Sequence, residues 1–126
     1  MEATALEAAQ QQAAQQRQAI ETLHGTKVKP MFVPVVDKNG TITEFAIGWL
    51  KPMNKQILGQ FMMLDRTNPL AAQEVVMRGL LIADKSDARI LNETEHFDIF
   101  CNAIQTIMSS TVLAAYAGTV GESVGE

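Results

Sequence analysis

The chain has 126 residues, 47% of them hydrophobic and 19% charged, with a formal net charge of −4. That is ample apolar material for one core, and the acidic balance argues against a nucleic-acid-binding module, which carries a basic stripe. The ten Lys and Arg residues are scattered along the sequence. A single Cys excludes an intramolecular disulfide and, with only two His, argues against a structural zinc site. No apolar run approaches the roughly 18 residues of a membrane span. The Ala- and Gln-rich start lacks the basic and apolar regions of a signal peptide.

Residues 3–23 favour a helix, because Ala and Gln dominate them. The apolar stripe is thin: Leu6, Ala9, Ala13, Ile20 and Leu23. Such a helix buries little by itself. Two readings stand: a solvated, partly frayed extension, or an arm that docks on a neighbouring subunit or partner. His24-Gly25 is its expected stop, with Gly25 as the left-handed cap.

Residues 29–50 read as one β-hairpin. Asp37-Lys38-Asn39-Gly40 supports either a two-residue Asn39-Gly40 turn or a three-residue loop with a bulge at Gly40. Pro30 and Pro34 decide between them, since neither can donate to a ladder. In the three-residue register Asp37 pairs with Thr41, odd residues of the first strand carry the ladder, and both prolines face outward. The first strand is then a protected edge. That register places Val33 opposite Phe45, Met31 opposite Ile47 and Lys29 near Trp49. It gathers Met31, Val33, Val35, Phe45, Ile47 and Trp49 on one face.

A helix from Pro52 to Asp65 is expected next, with Pro52 at its first position and a stripe of Ile57, Leu58, Phe61, Met62 and Leu64. Asn68 caps a second helix, with Pro69 at its first position, that runs to Ile82. Gly79 within it either weakens it by ~1 kcal/mol relative to Ala or permits a close crossing. Asp84-Lys85-Ser86-Asp87 reads as an exposed loop. Asn92-Glu93-Thr94-Glu95 resembles a capping box opening a last helix whose face is Phe97, Phe100, Cys101, Ile104, Ile107, Met108 and Thr111. This helix should fade between Ala114 and Gly118. The expected fold is α+β: an N-terminal helix, one antiparallel β-hairpin, then three helices packed on the hairpin. Its expected parts are a helical arm (1–25), a core domain (26–117) and a Gly-rich tail (118–126).

Reactive chemistry finds little support in the residues. Counting a calcium loop from Asp37 puts Ile42 and Gly48 where Gly and Glu are required. Cys101 and His96 are five apart, about 140° round a helix, so they share no face. Cys101 reads as a buried core thiol, His96 as a surface residue and His24 as a helix-end residue. Glu93, Glu95 and Asp98 suit the positive end of a helix dipole. There is no phosphate loop or triad signature. No cofactor and no metal are expected. Met53, Met62, Met63, Met77 and Met108 are core filler or, alternatively, an adaptable contact patch.

The run His24-Gly25, a hairpin ending in Trp49-Leu50-Lys51-Pro52, a short helix and then Asn68-Pro69-Leu70-Ala71-Ala72-Gln73-Glu74 resembles a family of small proteins from tailed phages and prophages of gut bacteria. These are described as tail assembly chaperone-like or as uncharacterised structural-cluster proteins. The resemblance spans roughly residues 20–112 and is one of pattern rather than of a catalytic signature. The arm before residue 20 and the Gly-rich end after Ala117 depart from it. It implies a non-enzymatic phage morphogenesis protein that shields aggregation-prone tail or capsid components by protein–protein binding. Its partners would be phage structural proteins or a homo-oligomer, with no nucleic acid and no membrane. It would act in the host cell cytoplasm during assembly or remain in the virion. A minor structural subunit and a small regulatory binding protein are the alternatives. Apolar residues left over after core packing are the candidate partner contacts: Leu6, Ile20 and Leu23 on the arm, and Phe32, Pro34, Val36 and Ile42 on the hairpin's second face.

Overall fold

The computed structural model describes residues 2–110. The elements are α1 (Glu2–His24), β1 (Lys29–Val36), β2 (Ile42–Leu50), α2 (Lys55–Asp65), α3 (Pro69–Leu80), a 3₁₀ turn at Ala88–Leu91, and α4 (Phe97–Ser110). This is the expected α+β order of helix, hairpin and helices. The 3₁₀ turn is an addition. The expected tail at 118–126, Thr111 and the fading end of the last helix lie outside the described residues.

The turn forms as its residues dictate. Asp37 N–H donates to Thr41 O at 2.9 Å, and Gly40 N–H donates to Asp37 O at 3.0 Å. The Asp37 carboxylate accepts from Asn39 N–H at 2.8 Å and Thr41 N–H at 3.0 Å. Gly40 sits at φ 83°, the left-handed region a three-residue loop requires.

Beyond the turn the expected register fails by one residue. Val36 pairs with Ile42, but Val35 pairs with Glu44, so Thr43 is the extra residue of a β-bulge. Its hydroxyl donates to Val35 O at 3.2 Å. Every pair past the bulge is therefore shifted: Val33 lies opposite Ala46, Met31 opposite Gly48 and Lys29 opposite Leu50. Because side chains alternate with period two, the slip sends Phe45, Ile47 and Trp49 to the other face. Size complementarity accounts for the shift. Met31 and Val33 now face the small residues Gly48 and Ala46, so the large residues of the two strands no longer compete for one face.

The hairpin is consequently buried on both sides. Met31, Val33, Ala46 and Leu50 join Phe61, Val76, Leu80, Phe100 and Ile104 in a core beneath α2, α3 and α4. On the opposite face Ile47 and Trp49 pack with Ala9, Ala13 and Ile20 of α1, together with Val28 and Ile82. The Ala stripe of α1 suits this position. A helix with small side chains approaches closely enough to seat a fully buried Trp49 ring. Of the two readings of the arm, neither is what these residues show: α1 docks on its own hairpin.

Both edges of the sheet are covered. The Pro34 carbonyl on the outer edge of β1 accepts from the Asn102 side chain of α4 at 3.1 Å. Along β2, residues 80–87 run as a partial third strand. Lys51 N–H donates to Leu80 O at 2.9 Å, Ile82 N–H to Trp49 O at 2.8 Å, and Asp87 N–H to Ile47 O at 2.9 Å. Trp49 N–H donates to Ser86 Oγ at 2.8 Å. Both main-chain groups of Trp49 thus point away from β1, so Pro30 opposite it is asked for no ladder bond. The outward placement of the prolines stands, despite the shifted register.

Several helix ends move for the same reason. The strand backbone continues to Lys51, so Pro52 does not open α2; Asn54 caps it instead, accepting from Ile57 N–H at 2.9 Å. Asn68 and Pro69 open α3 as expected, with Asn68 accepting from Ala71 N–H at 3.2 Å. That helix stops at Leu80 rather than Ile82, because the Leu80 carbonyl and the Ile82 N–H bond to Lys51 and Trp49, bridging Leu81 to Leu50. Ser86 and Asp87 are half-buried, not part of an exposed loop. The Asn92 side chain does accept from Glu95 N–H at 3.0 Å, but it closes a turn, and α4 begins only at Phe97. Phe97 is 60% exposed, while Ile99 and Ala103 take buried positions that the expected face omitted.

Gly79 meets the second of its two readings. A Cβ there would lie 2.7 Å from Ile57 Cδ1 and 3.0 Å from its Cγ1, at the crossing of α2 and α3. Gly79→Ala should therefore destabilise the fold by about 1 kcal/mol, overpacking outweighing the gain in helix propensity. In an Ile57→Val background the same change should be neutral or stabilising, read as a double-mutant cycle by urea denaturation. Trp49 Nε1 is the buried side-chain polar atom without a hydrogen-bond partner among the described residues. Trp49→Ala should cost roughly 3–5 kcal/mol. Trp49→Phe should cost markedly less, because it also removes an unsatisfied donor; equal losses would contradict this.

Candidate functional site

A cleft of about 870 Å³ opens at the end of the hairpin away from its turn. Its walls are the elements whose placement the bulge sets. Arg17 comes from α1, Lys27 from the link into β1, Lys29 from the first position of β1, and Lys51 from the chain leaving β2. The floor is apolar: Val28, Phe32, Leu50, Met53 and Leu80. Pro30 and Pro52 stiffen the two chain segments at the mouth. Lys29 pairs with Leu50 across the strands, so Lys51, the next residue, lies at the same end of the hairpin.

Four of the chain's ten basic residues thus line one cleft, and none of its lining residues is acidic. One carboxylate that interacts with lining residues is Glu21. It accepts from Val28 N–H at 2.9 Å and lies 3.5 Å from Arg17 Nε. The Val28 N–H bond is the main cause that holds the Glu21 carboxyl below its ordinary range, with Arg17 adding to it. Among the described residues Lys27 and Lys51 take part in no ion pair.

The basic residues are scattered in the sequence but gathered in space, a convergence linear reading missed. The one signal available was the hairpin, which in any register brings Lys29 close to Lys51. Arg17 and Lys27 could not be added, because nothing in the sequence says that α1 folds back over the sheet.

The candidate contacts named from sequence are placed as follows. Phe32, Pro34, Val36 and Ile42 do share one face, but it is the face α1 packs on, and all four are half-buried. Only Phe32 reaches the cleft. Ile20 is buried against the hairpin, so its surface is used within the chain. Leu6 is half-buried and Leu23 is exposed. Large apolar side chains also stand exposed near the α2–α3 connection: Met63 is 82% exposed, with Met62 next to it near the end of α2 and Leu70 at the start of α3.

The titratable residues that do cluster have a structural role. Arg89 donates to Glu44 at 2.6 Å and to both Asp87 oxygens, at 3.0 and 2.8 Å. This ties the 80–91 segment to the bulged end of β2. The Arg89 side-chain bond holds the Asp87 carboxyl below its ordinary value; partial burial opposes it, and the backbone N–H of Arg89 and the nearby His96 add to it. The hydrogen bond to Asp87, then that to Glu44, raises Arg89 in turn. Cys101 is half-buried at the margin of the larger core rather than fully buried. His96 is half-buried and His24 exposed. Among the described residues no group of three or more His, Cys, Asp or Glu side chains is placed to hold a metal ion. No described helix is long and apolar enough to cross a membrane.

No protein family, curated protein or solved structure matches this chain.

Because its folded-state pKa is lowered, Asp87 contributes stability above its ordinary value of 3.8, and that contribution is lost as the pH falls through the folded value. Asp87→Asn should be less stable than the parent by about 1 kcal/mol at neutral pH, a modest figure for a half-exposed clasp. The gap should close in acid. Denaturation curves across the acid range check this; a gap independent of pH would contradict it.

Proposed function

We propose that this chain is a non-enzymatic phage morphogenesis protein that works by binding other proteins, as a tail assembly chaperone-like factor. The observation that supports it is the display of large apolar side chains outside a well-filled core: Met62, Met63 and Leu70 about the α2–α3 corner, with Leu23 and Phe97 elsewhere. Exposed methionines suit contact surfaces that must adapt, because the unbranched thioether side chain repacks at small cost. The interacting charged groups serve to clasp the fold, as the Arg89, Asp87 and Glu44 contacts show. The reading agrees with the resemblance of residues 20–112 to small proteins of tailed phages.

In this reading the protein holds phage tail or capsid components in the host cytoplasm until they assemble. Affinity-tagged chain, purified after cross-linking from phage-producing cells, should recover a tail or capsid protein. Recovery should fall several-fold with Met63→Asp, an exposed substitution that leaves the core intact. An inventory of purified particles completes the test. Absence from particles fits a transient chaperone, and stoichiometric presence shows a structural subunit instead. Recovery of no phage component would overturn the proposal.

A further inference from the structure

The cleft at the open end of the hairpin is a different surface from the α2–α3 corner, and its chemistry is specific enough to name an occupant. We infer that it is a docking site for a short acidic peptide segment bearing a large apolar side chain, supplied by a partner protein. This rests on the reading of the chain as a protein-binding protein and not on its phage origin.

Charge is the first argument. The chain is acidic overall, with fourteen Asp and Glu against ten Lys and Arg, yet Arg17, Lys27, Lys29 and Lys51 converge here. Glu21 offsets part of Arg17 and acts on Lys27 as well, while Lys27 and Lys51 take part in no ion pair among the described residues. Holding like charges together in one place is unfavourable unless something of opposite sign relieves it. An acidic segment does so, and a positive cleft on a negative protein also steers it to that spot.

The floor is the second argument. Phe32, Met53 and Leu50 offer apolar surface in the same cleft as the cations. A free phosphate or sulfate would use the cations and leave that surface wet. A peptide carboxylate with a neighbouring Leu or Phe would use both. The volume, about 870 Å³, suits a short segment rather than a single side chain.

The other polyanions fit less well. Nucleic acid follows an extended basic track, whereas these residues line one cleft, and the net charge of −4 repels a long polyanion. An anionic membrane engages a protruding face, and here the cations line a concavity.

The test uses the full 126-residue chain and a fluorescein-labelled peptide Asp-Glu-Leu-Phe-Glu-Asp, read by fluorescence anisotropy at low salt. Micromolar binding is expected. It should weaken roughly tenfold or more in the Lys27→Glu/Lys51→Glu variant and as salt rises toward physiological strength. Both lysines are exposed, so thermal melting of the variant should match the parent and separate lost binding from lost fold. Replacing Leu-Phe by Gly-Ser should also weaken binding several-fold, as should Met53→Asp. No binding, binding unaffected by the double reversal, or equal binding of a Lys-substituted peptide would overturn the proposal. So would stronger, reversal-sensitive binding to phosphatidylglycerol vesicles, which would make a membrane the occupant. If tagged chain still recovers phage components while the peptide fails to bind, the cleft assignment alone is wrong. If the peptide binds and no phage component is recovered, the morphogenesis reading is the one that fails.

Discussion

The single extra residue at Thr43 is the constraint on which the architecture depends. A β-strand presents alternate residues to opposite faces, so one inserted residue exchanges every side chain beyond it. With the bulge, Phe45, Ile47 and Trp49 face α1, while Ala46, Gly48 and Leu50 face α2 to α4. Without it, the three bulky residues would compete with Met31 and Val33 for one layer, and α1 would meet Ala46, Gly48 and Leu50 of β2 in place of Phe45, Ile47 and Trp49. The three-layer arrangement of helix, hairpin and helices follows from that one insertion.

A two-stranded sheet is marginal by itself, because each strand has an open edge. Here the edges are closed by unlike means. On β1 the prolines remove donors that would otherwise invite pairing, and Asn102 satisfies an outward carbonyl. On β2 the segment after α3 supplies main-chain partners and the Ser86 hydroxyl, then locks itself with the Arg89 clasp. The hairpin thus acquires part of a third strand without the chain forming one.

The same arrangement generates the cleft. Once α1 lies across Trp49, its Arg17 joins Lys29 and Lys51 in lining the cleft at the open end of the hairpin. The basic character of the site is a product of three segments meeting, and it contrasts with the acidic character of the whole chain. Apolar side chains at the α2–α3 corner lie in a separate part of the molecule, so the protein presents two chemically distinct surfaces.

Local chemistry by itself determined the element order, the three-residue turn at Gly40, the stop at Gly25, the Asn68-Pro69 helix start and the outward prolines. Each depends on neighbours within a few residues: a left-handed φ, a missing N–H, a side chain within reach of the next turn. Only the tertiary structure decided the register past Thr43, the face that Trp49 occupies, the seat of α1, the end of α3 and the gathering of Arg17, Lys27, Lys29 and Lys51. The physical reason is that β2 is apolar on both faces, so alternation could not say which side met which layer. That choice was made by the fit of large residues against small ones contributed from elsewhere in the chain.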